Sequence, residues 1–536
     1  MVIKGSVWRR KLVKMEKTGE EHSPLAQKGK QGILKIIFGR TMLVLLLLAL
    51  NFYMTFYVMM RLAEKIPIFL GSVTVLSGIM LVYVINTRAN PAIKLSWCVL
   101  IAVFPVFGVV LYFYVQTDLG SRLTIKQQKR TREQIRKFIL PQEELMENIA
   151  GEDPEFYNFA RYMHQWADAP VFGNTDTEYF SLGDDAFPRM LEELEKAEKF
   201  IFLEYFIVVP GYMWDRILEI LARKAAEGVD VRMIYDGNCA VASLPYRYPK
   251  ELERMGIRCK VFSPFRPFVS THYNNRDHRK ILVIDGHTAF TGGINIQDRY
   301  INREQVYGHW KDNALMLKGD AARSFTLMFL QFWNADEKKK EYAPYLNQPT
   351  PADPAKGYVI GYCDSPMDEE RVGEMVYLNI LNQAKHYVYI MTPYLILDNE
   401  MVTALQFAAK RGVDVRIVLP HIPDKRIAFA MAKSHYGELT EAGVKIYEYT
   451  PGFVHSKVFL SDDIHAVVGT INLDYRSLYL HYECAAYLYR VDALKDIRED
   501  FEKTMEVSVR VTREMVRSSI IGRLVGRLLK VAAPLM

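Results

Sequence analysis

At 536 residues, half of them hydrophobic and 12% aromatic, the chain is too apolar to be disordered. At about 150 residues per domain, its length leaves room for a membrane region and two globular halves. A net charge of only +6, with no strongly basic groove interleaved with aromatics, argues against a nucleic-acid partner. The five cysteines are scattered, without Cys-x-x-Cys or histidine at ligand spacing, so neither a metal site nor a disulfide framework is expected.

The chain opens with a basic N-terminal segment, 1–40, carrying ten Lys/Arg against three Glu. A membrane region, 41–116, follows, with three uncharged runs at 41–60, 66–86 and 95–115. Each is long enough to cross a hydrocarbon core of about 30 Å. The expectation is therefore a multi-pass protein of the cell membrane. The side that holds the globular part stays undecided, because the basic N-terminus and the seven basic residues in 116–140 pull a three-span topology in opposite directions. With Pro105 and Gly108, the third run could instead be re-entrant or interfacial. Basic clusters beside apolar spans suit anionic membrane lipids, and ordinary positive-inside bias explains them equally well.

Residues 117–198 are read as a linker and helical lead-in, with a helix starting near Pro188. An internal repeat then sets in. The first half, 199–334, begins with an apolar strand at 199–206, a helix around 214–227, Gly228 and a strand at 229–235. The second half, 359–506, repeats the order at 386–393, 400–411, Gly412 and 413–419. Both glycines sit where a helix would stop. Strand, helix, strand in each half predicts an α/β fold of two pseudo-symmetric halves with mostly parallel sheets flanked by helices. A Pro-rich linker, 335–358, separates the halves, and a basic, apolar tail, 507–536, ends the chain.

Each half also carries the same chemical pattern. His278, Lys280 and Asp285 are followed by Gly292 and Asn295; His455, Lys457 and Asp462 by Gly469 and Asn472. On a strand, the His and Lys of each copy share one face. Such pairs suit a phosphodiester. One neutral imidazole can attack phosphorus, and a second can protonate the leaving oxygen and then deprotonate the incoming hydroxyl. Two lysines and the amides of Asn295 and Asn472 can hold the phosphate oxygens, and no metal or other cofactor is needed. Asp285 and Asp462 complete the catalytic set, and their place on the opposite strand face or in the following turn suits them to fixing the motif by hydrogen bonds. The glycines permit close backbone approach. His272, His309, His421 and His481 lack a repeated spacing and read as packed or solvated side chains.

These paired motifs resemble the HKD motifs of the phospholipase D superfamily. The Gly-Gly-x-Asn after the first, Gly-Thr-x-Asn-x-Asp-Tyr-Arg-Ser at 469–477, and His309-Trp310-Lys311-Asp312 are similar to bacterial cardiolipin synthases. Lys311, where the family usually has Arg, and His481-Tyr482-Glu483, where it often has Asn-Phe-Glu, depart from that pattern. The resemblance implies a membrane-bound phosphatidyltransferase that joins two phosphatidylglycerols into cardiolipin and glycerol through a phosphohistidine. It also implies His278 as nucleophile, His455 as acid and base, and a carboxylate at Glu483 that orients a histidine. A hydrolytic phospholipase D, a phosphatidylserine synthase, a nuclease and an inactive membrane scaffold are the rival readings. The apolar spans weigh against the nuclease, and two complete motifs weigh against the scaffold.

Overall fold

A computed structural model describes residues 49–54, 57, 66–116, 121–139, 142–245, 247–264, 275–346, 355–367, 370–516 and 529–530. The chain divides into two compact units. His272 and most of the first apolar run and of the tail lie outside the described residues.

The first unit takes the chain up to Asn86 together with Trp97–Tyr114. Its second apolar run is one uncharged helix, Ile66–Ile85. The third run is not one straight rod. A helix over Pro91–Val103 stops before Pro105, which opens a second helix, Pro105–Gln116. Proline suits a first turn but cannot continue a helix, having no N–H and a ring that crowds the preceding turn. The chain then folds back. A Cβ on Gly108 would come within 2.7 Å of Ile101 Cα, so only glycine allows the approach. The rings of Trp97 and Tyr112 meet at 5.2 Å. Fifteen residues of straight helix would separate them by about 22 Å. The third run is therefore a helical hairpin. Among the described residues no helix is long and apolar enough to cross a membrane.

The second unit holds both halves. The first half contributes strands β2 to β9, preceded by β1 (Val171–Phe172): β2 (Thr175–Phe180), β3 (Phe200–Tyr205), β4 (Asp230–Asp236), β5 (Arg258–Phe262), β6 (Lys280–Ile284), β7 (Thr288–Gly292), β8 (His309–Lys311) and β9 (Ala314–Gly319). The second half supplies β10 (Tyr358–Asp364), β11 (Tyr387–Met391), β12 (Asp414–Pro420), β13 (Lys445–Tyr449), β14 (Gly452–Val454), β15 (Val458–Ser461), β16 (His465–Gly469), β17 (Glu483–Tyr489) and β18 (Ser508–Arg510). The sheet orders are β2-β9-β7-β6-β3-β4-β5 and β1-β10-β17-β16-β15-β11-β12-β13-β18.

The βαβ units form as the repeat predicts, and Gly228 and Gly412 end their helices at φ +97° and +96°, a conformation that favours glycine. The expectation of mostly parallel sheets is corrected. Only β3-β4-β5 and β11-β12-β13 run parallel; every other pairing within the two sheets is antiparallel. Each motif strand turns straight into its neighbour, β6 into β7 and β15 into β16. A connection that short can only make a hairpin.

Phe202, Val283 and Leu315 of one sheet share a buried cluster with Met391, Val458 and Leu460 of the other. The two sheets thus pack together with the motif strands central in each. The lead-in is part of this body: β1 joins β10, β2 joins β9, and Phe156 stacks on Tyr489 with ring centroids 3.8 Å apart. The helix expected to begin near Pro188 begins at Gly183 and carries Pro188 inside it. Its buried face of Phe187, Met190 and Leu194 outweighs the hydrogen bond that proline removes.

Candidate active site

The two motifs are laid out alike. His278 lies just before β6, which starts at Lys280, and His455-Ser456-Lys457 lies just before β15. At the other end of each strand stands the motif aspartate, in the left-handed region at φ +51° for Asp285 and +55° for Asp462. Asp285 accepts hydrogen bonds from the backbone N–H groups of Glu198, Lys199 and Phe200, each at 2.8 Å. Asp462 does the same for Lys385, His386 and Tyr387 at 2.7, 2.9 and 2.8 Å. Both therefore staple the end of the motif strand to the start of the neighbouring one. These carboxylates thus stand at the opposite end of β6 and of β15 from the imidazoles, where they fix the strand by hydrogen bonds.

The imidazoles are held across the two halves. His278 Nδ1 lies 2.9 Å from Glu483 Oε2, and His455 Nδ1 lies 2.6 Å from Asp312 Oδ2. The backbone repeats the exchange: His278 N–H donates to the Tyr482 carbonyl at 2.9 Å and His455 N–H to the Lys311 carbonyl at 2.7 Å. Each histidine thus hangs on the residue just before the carboxylate that orients it. The parallel pairing of β14 with β8 fixes one side, and an isolated bridge from Asp277 to Tyr482 fixes the other. Glycine makes the room. A Cβ on Gly293 would fall 1.9 Å from Asp312 Oδ1, and one on Gly469 would meet the β17 backbone at Cys484 O at 2.5 Å.

Burial governs the charge state. It draws His278 down to about 3 and His455 to about 4, so both rings are neutral near pH 7. Lys280 falls to about 8 and Lys457 to about 7 for the same reason. Burial works to raise Asp312 and Glu483 as well. Their histidine partners more than offset it and hold both carboxylates below the usual range. The charged groups of the two halves also act on one another. Lys280 of the first half acts on His455 and Lys457 of the second, while Glu483 acts on Lys280 and Lys457. With Nδ1–H directed at a carboxylate, the Nε2 of each ring carries the lone pair. Lys280 donates to the His278 carbonyl at 2.6 Å; Lys457 donates to the His455 carbonyl and approaches His455 Nδ1 to 2.9 Å, close enough to compete with Asp312 for that nitrogen.

The asparagines differ. Asn295 accepts from Ile207 N–H at 3.0 Å and donates to the Tyr300 hydroxyl at 2.8 Å, so half of its amide is already engaged in the scaffold. Asn472 Oδ1 is buried without a hydrogen-bond partner among the described residues, an acceptor that suits a hydroxyl and not a phosphate oxygen. Lys311 faces away and binds Asp500 at 2.6 Å and the Ser181 carbonyl at 2.5 Å. His309 pairs with Tyr449, and His421 with Glu448. His481, in contrast, stands in the site: His278, His481 and Glu483 bring three possible ligand atoms within 4.8 Å of one another, the one such group among the described residues.

Sequence reasoning gave Asp312 no role and missed the aromatic walls. Phe206 packs edge-on to His278, and Tyr300 edge-on to His455, at 5.0 and 5.5 Å. Those rings supply the apolar surroundings that neutralise the imidazoles. Asp312 is the counterpart of Glu483, but it follows its asparagine by 312 − 295 = 17 residues, where Glu483 follows by 483 − 472 = 11. A longer loop in the first half hides the equivalence.

Residues 190–333 and 377–505 match the family model described as cardiolipin synthase, PLD-like domain, and residues 75–115 match that described as phospholipase D-nuclease N-terminal. An uncharacterised protein of Streptococcus mutans is 53% identical over 79% of this chain and 92% of its own length. A cardiolipin synthase of Halalkalibacterium halodurans is 35% identical over 77% of this chain and 82% of its own. In fold, the chain is similar to the crystal structure of phosphatidylserine synthase from Haemophilus influenzae Rd KW20. The TM-score is 0.53 at 15% identity, covering 70% of this chain and 97% of that one.

Proposed function

The chain belongs to the cardiolipin synthase family of phospholipase D-like proteins, and from that premise we propose how its paired site carries out the transfer. The enzyme is a phosphatidyltransferase, with phosphatidylglycerol as donor and acceptor and cardiolipin as product. The observation that carries the mechanism is the reciprocal hold, each neutral imidazole fixed by a carboxylate of the opposite half.

In the first step, His278 Nε2 attacks the donor phosphorus, the bond from phosphorus to the head-group glycerol oxygen breaks, and glycerol leaves with a proton from His455. A phosphatidyl group is now bonded to His278. In the second step, His455 takes the proton from the terminal hydroxyl of a second phosphatidylglycerol. That oxygen attacks phosphorus, the P–N bond breaks, and cardiolipin forms. The same geometry serves both directions of proton transfer. Lys280 and Lys457 hold the equatorial oxygens as charge gathers on them.

The acid form of His455 needs a source, because burial leaves the ring neutral. The substrate supplies it. A phosphodiester anion entering among His455, Lys280 and Lys457 favours their charged forms and draws a proton into the cavity.

Lipid substrates require the enzyme to work at a membrane. We extend this to a multi-pass anchor from the sequence runs at 41–60 and 66–86 alone, each uncharged throughout. The decisive assay incubates purified protein with labelled phosphatidylglycerol in detergent and chelator. Cardiolipin with an equal amount of glycerol is expected; phosphatidic acid alone would identify a hydrolase.

A further inference from the structure

The two halves match beyond the histidines and carboxylates. Two residues before Asp312 stands Trp310, its ring 5.3 Å from that of His455 at an interplanar angle of 40°. Two residues before Glu483 stands His481, its ring 5.7 Å from that of His278 at 44°. The indole Nε1–H of Trp310 donates to Asp312 Oδ2 at 3.4 Å. His481 Nδ1 lies 3.7 Å from Glu483 Oε1. Each carboxylate therefore has the catalytic imidazole on one side and a second aromatic N–H on the other.

Among the described residues, neither ring nitrogen of His481 has a hydrogen-bond partner, although both are buried. The contact with Glu483 already helps to keep that fully buried carboxylate ionised, beside the larger effect of His278. On its far side the ring walls off a cleft of about 550 Å³ lined by Arg88, Ser365, Arg371 and Tyr479.

We propose that His481 is a positioning residue of the transfer. Its Nδ1–H holds Glu483 in the orientation that keeps His278 Nε2 aimed at phosphorus, as Trp310 holds Asp312 behind His455. His481 does not touch the phosphate; it acts through Glu483. The role rests on the phosphatidyl transfer argued above and assigns a part in it to a residue outside the repeated motif.

The test separates the donor from the shape. His481→Asn places an amide N–H where Nδ1 stands, whereas His481→Phe keeps the ring and the wall of the cleft but has no donor. With folding checked by thermal unfolding, His481→Asn should retain kcat for cardiolipin formation within about threefold. His481→Phe should lose about ten- to a hundredfold, the range seen for partners that orient a working histidine, with KM little changed. Trp310→Phe provides a second readout should His481→Phe not fold, and a comparable loss is expected there. A fully active His481→Phe, or an Asn variant that falls as far as Phe, overturns the positioning role. A wild-type enzyme that releases phosphatidic acid and forms no cardiolipin overturns the transferase reading instead, so the two failures are distinguishable.

Discussion

His455 Nδ1 lies 2.6 Å from Asp312 Oδ2, a carboxylate of the opposite half, and His278 is held by Glu483 in the reciprocal way. Neither half contains a finished site. Glu483→Gln and Asp312→Asn should each lower cardiolipin synthesis by about 10²- to 10⁴-fold, as losing the carboxylate behind a working histidine does. The two are separable with a phosphatidyl ester whose leaving group needs no protonation. Release from it should survive in Asp312→Asn and fail in Glu483→Gln. The opposite pattern would exchange the roles of the two histidines.

The motif aspartates belong to the scaffold. Asp285 accepts three backbone N–H groups at the start of β3. Asp285→Ala strands those donors and should destabilise the protein by about 3 kcal/mol. The fraction that folds should turn over at a rate within twofold of wild type. A denaturant titration paired with kcat per folded enzyme checks both halves of this expectation.

Gly293 is held to its identity by Asp312 Oδ1, which a Cβ would approach to 1.9 Å. Gly293→Ala should push that carboxylate off His455 and reproduce the kcat loss of Asp312→Asn, a fall of about 10²- to 10⁴-fold. Unchanged turnover would show that Asp312 can shift without cost.

Substrate binding should be linked to protons. Burial sets Lys457 at about 7 and Lys280 at about 8, and a bound anion favours the charged form of both. At pH 7.5 a soluble phosphodiester such as glycerophosphoglycerol should therefore be bound with proton uptake. Uptake should shrink as pH falls below 7, where the lysines are already charged. Calorimetry in buffers of different ionisation enthalpy measures it. Proton release would contradict the assigned charge states, and Lys457→Met should reduce the uptake.

Much of this was legible in the chain because it is written twice. His278 and His455, their lysines, the βαβ units and the stops at Gly228 and Gly412 all follow from the repeat. What local spacing cannot carry is which distant residue faces which. Asp312 stayed hidden because a loop of unequal length shifts it relative to Glu483. The turn position of Asp285 and Asp462 already implies the hydrogen-bonding role seen in the fold, while their nearness to the histidines in sequence says little about the two ends of a strand. The sheets were read as mostly parallel from their βαβ units, whereas the tight turns after β6 and β15 impose antiparallel neighbours. His481 was set aside as a lone histidine; only its correspondence with Trp310 reveals its place.

The central step is a phosphatidyl group carried by one imidazole and passed on with the help of the other. Phosphatidylglycerol labelled at phosphorus should be mixed with enzyme, quenched in alkali during turnover, and the labelled peptide mapped. Label on His278, absent together with all cardiolipin in His278→Ala, is the predicted result. Cardiolipin formed at the normal rate with no label on either histidine would contradict it.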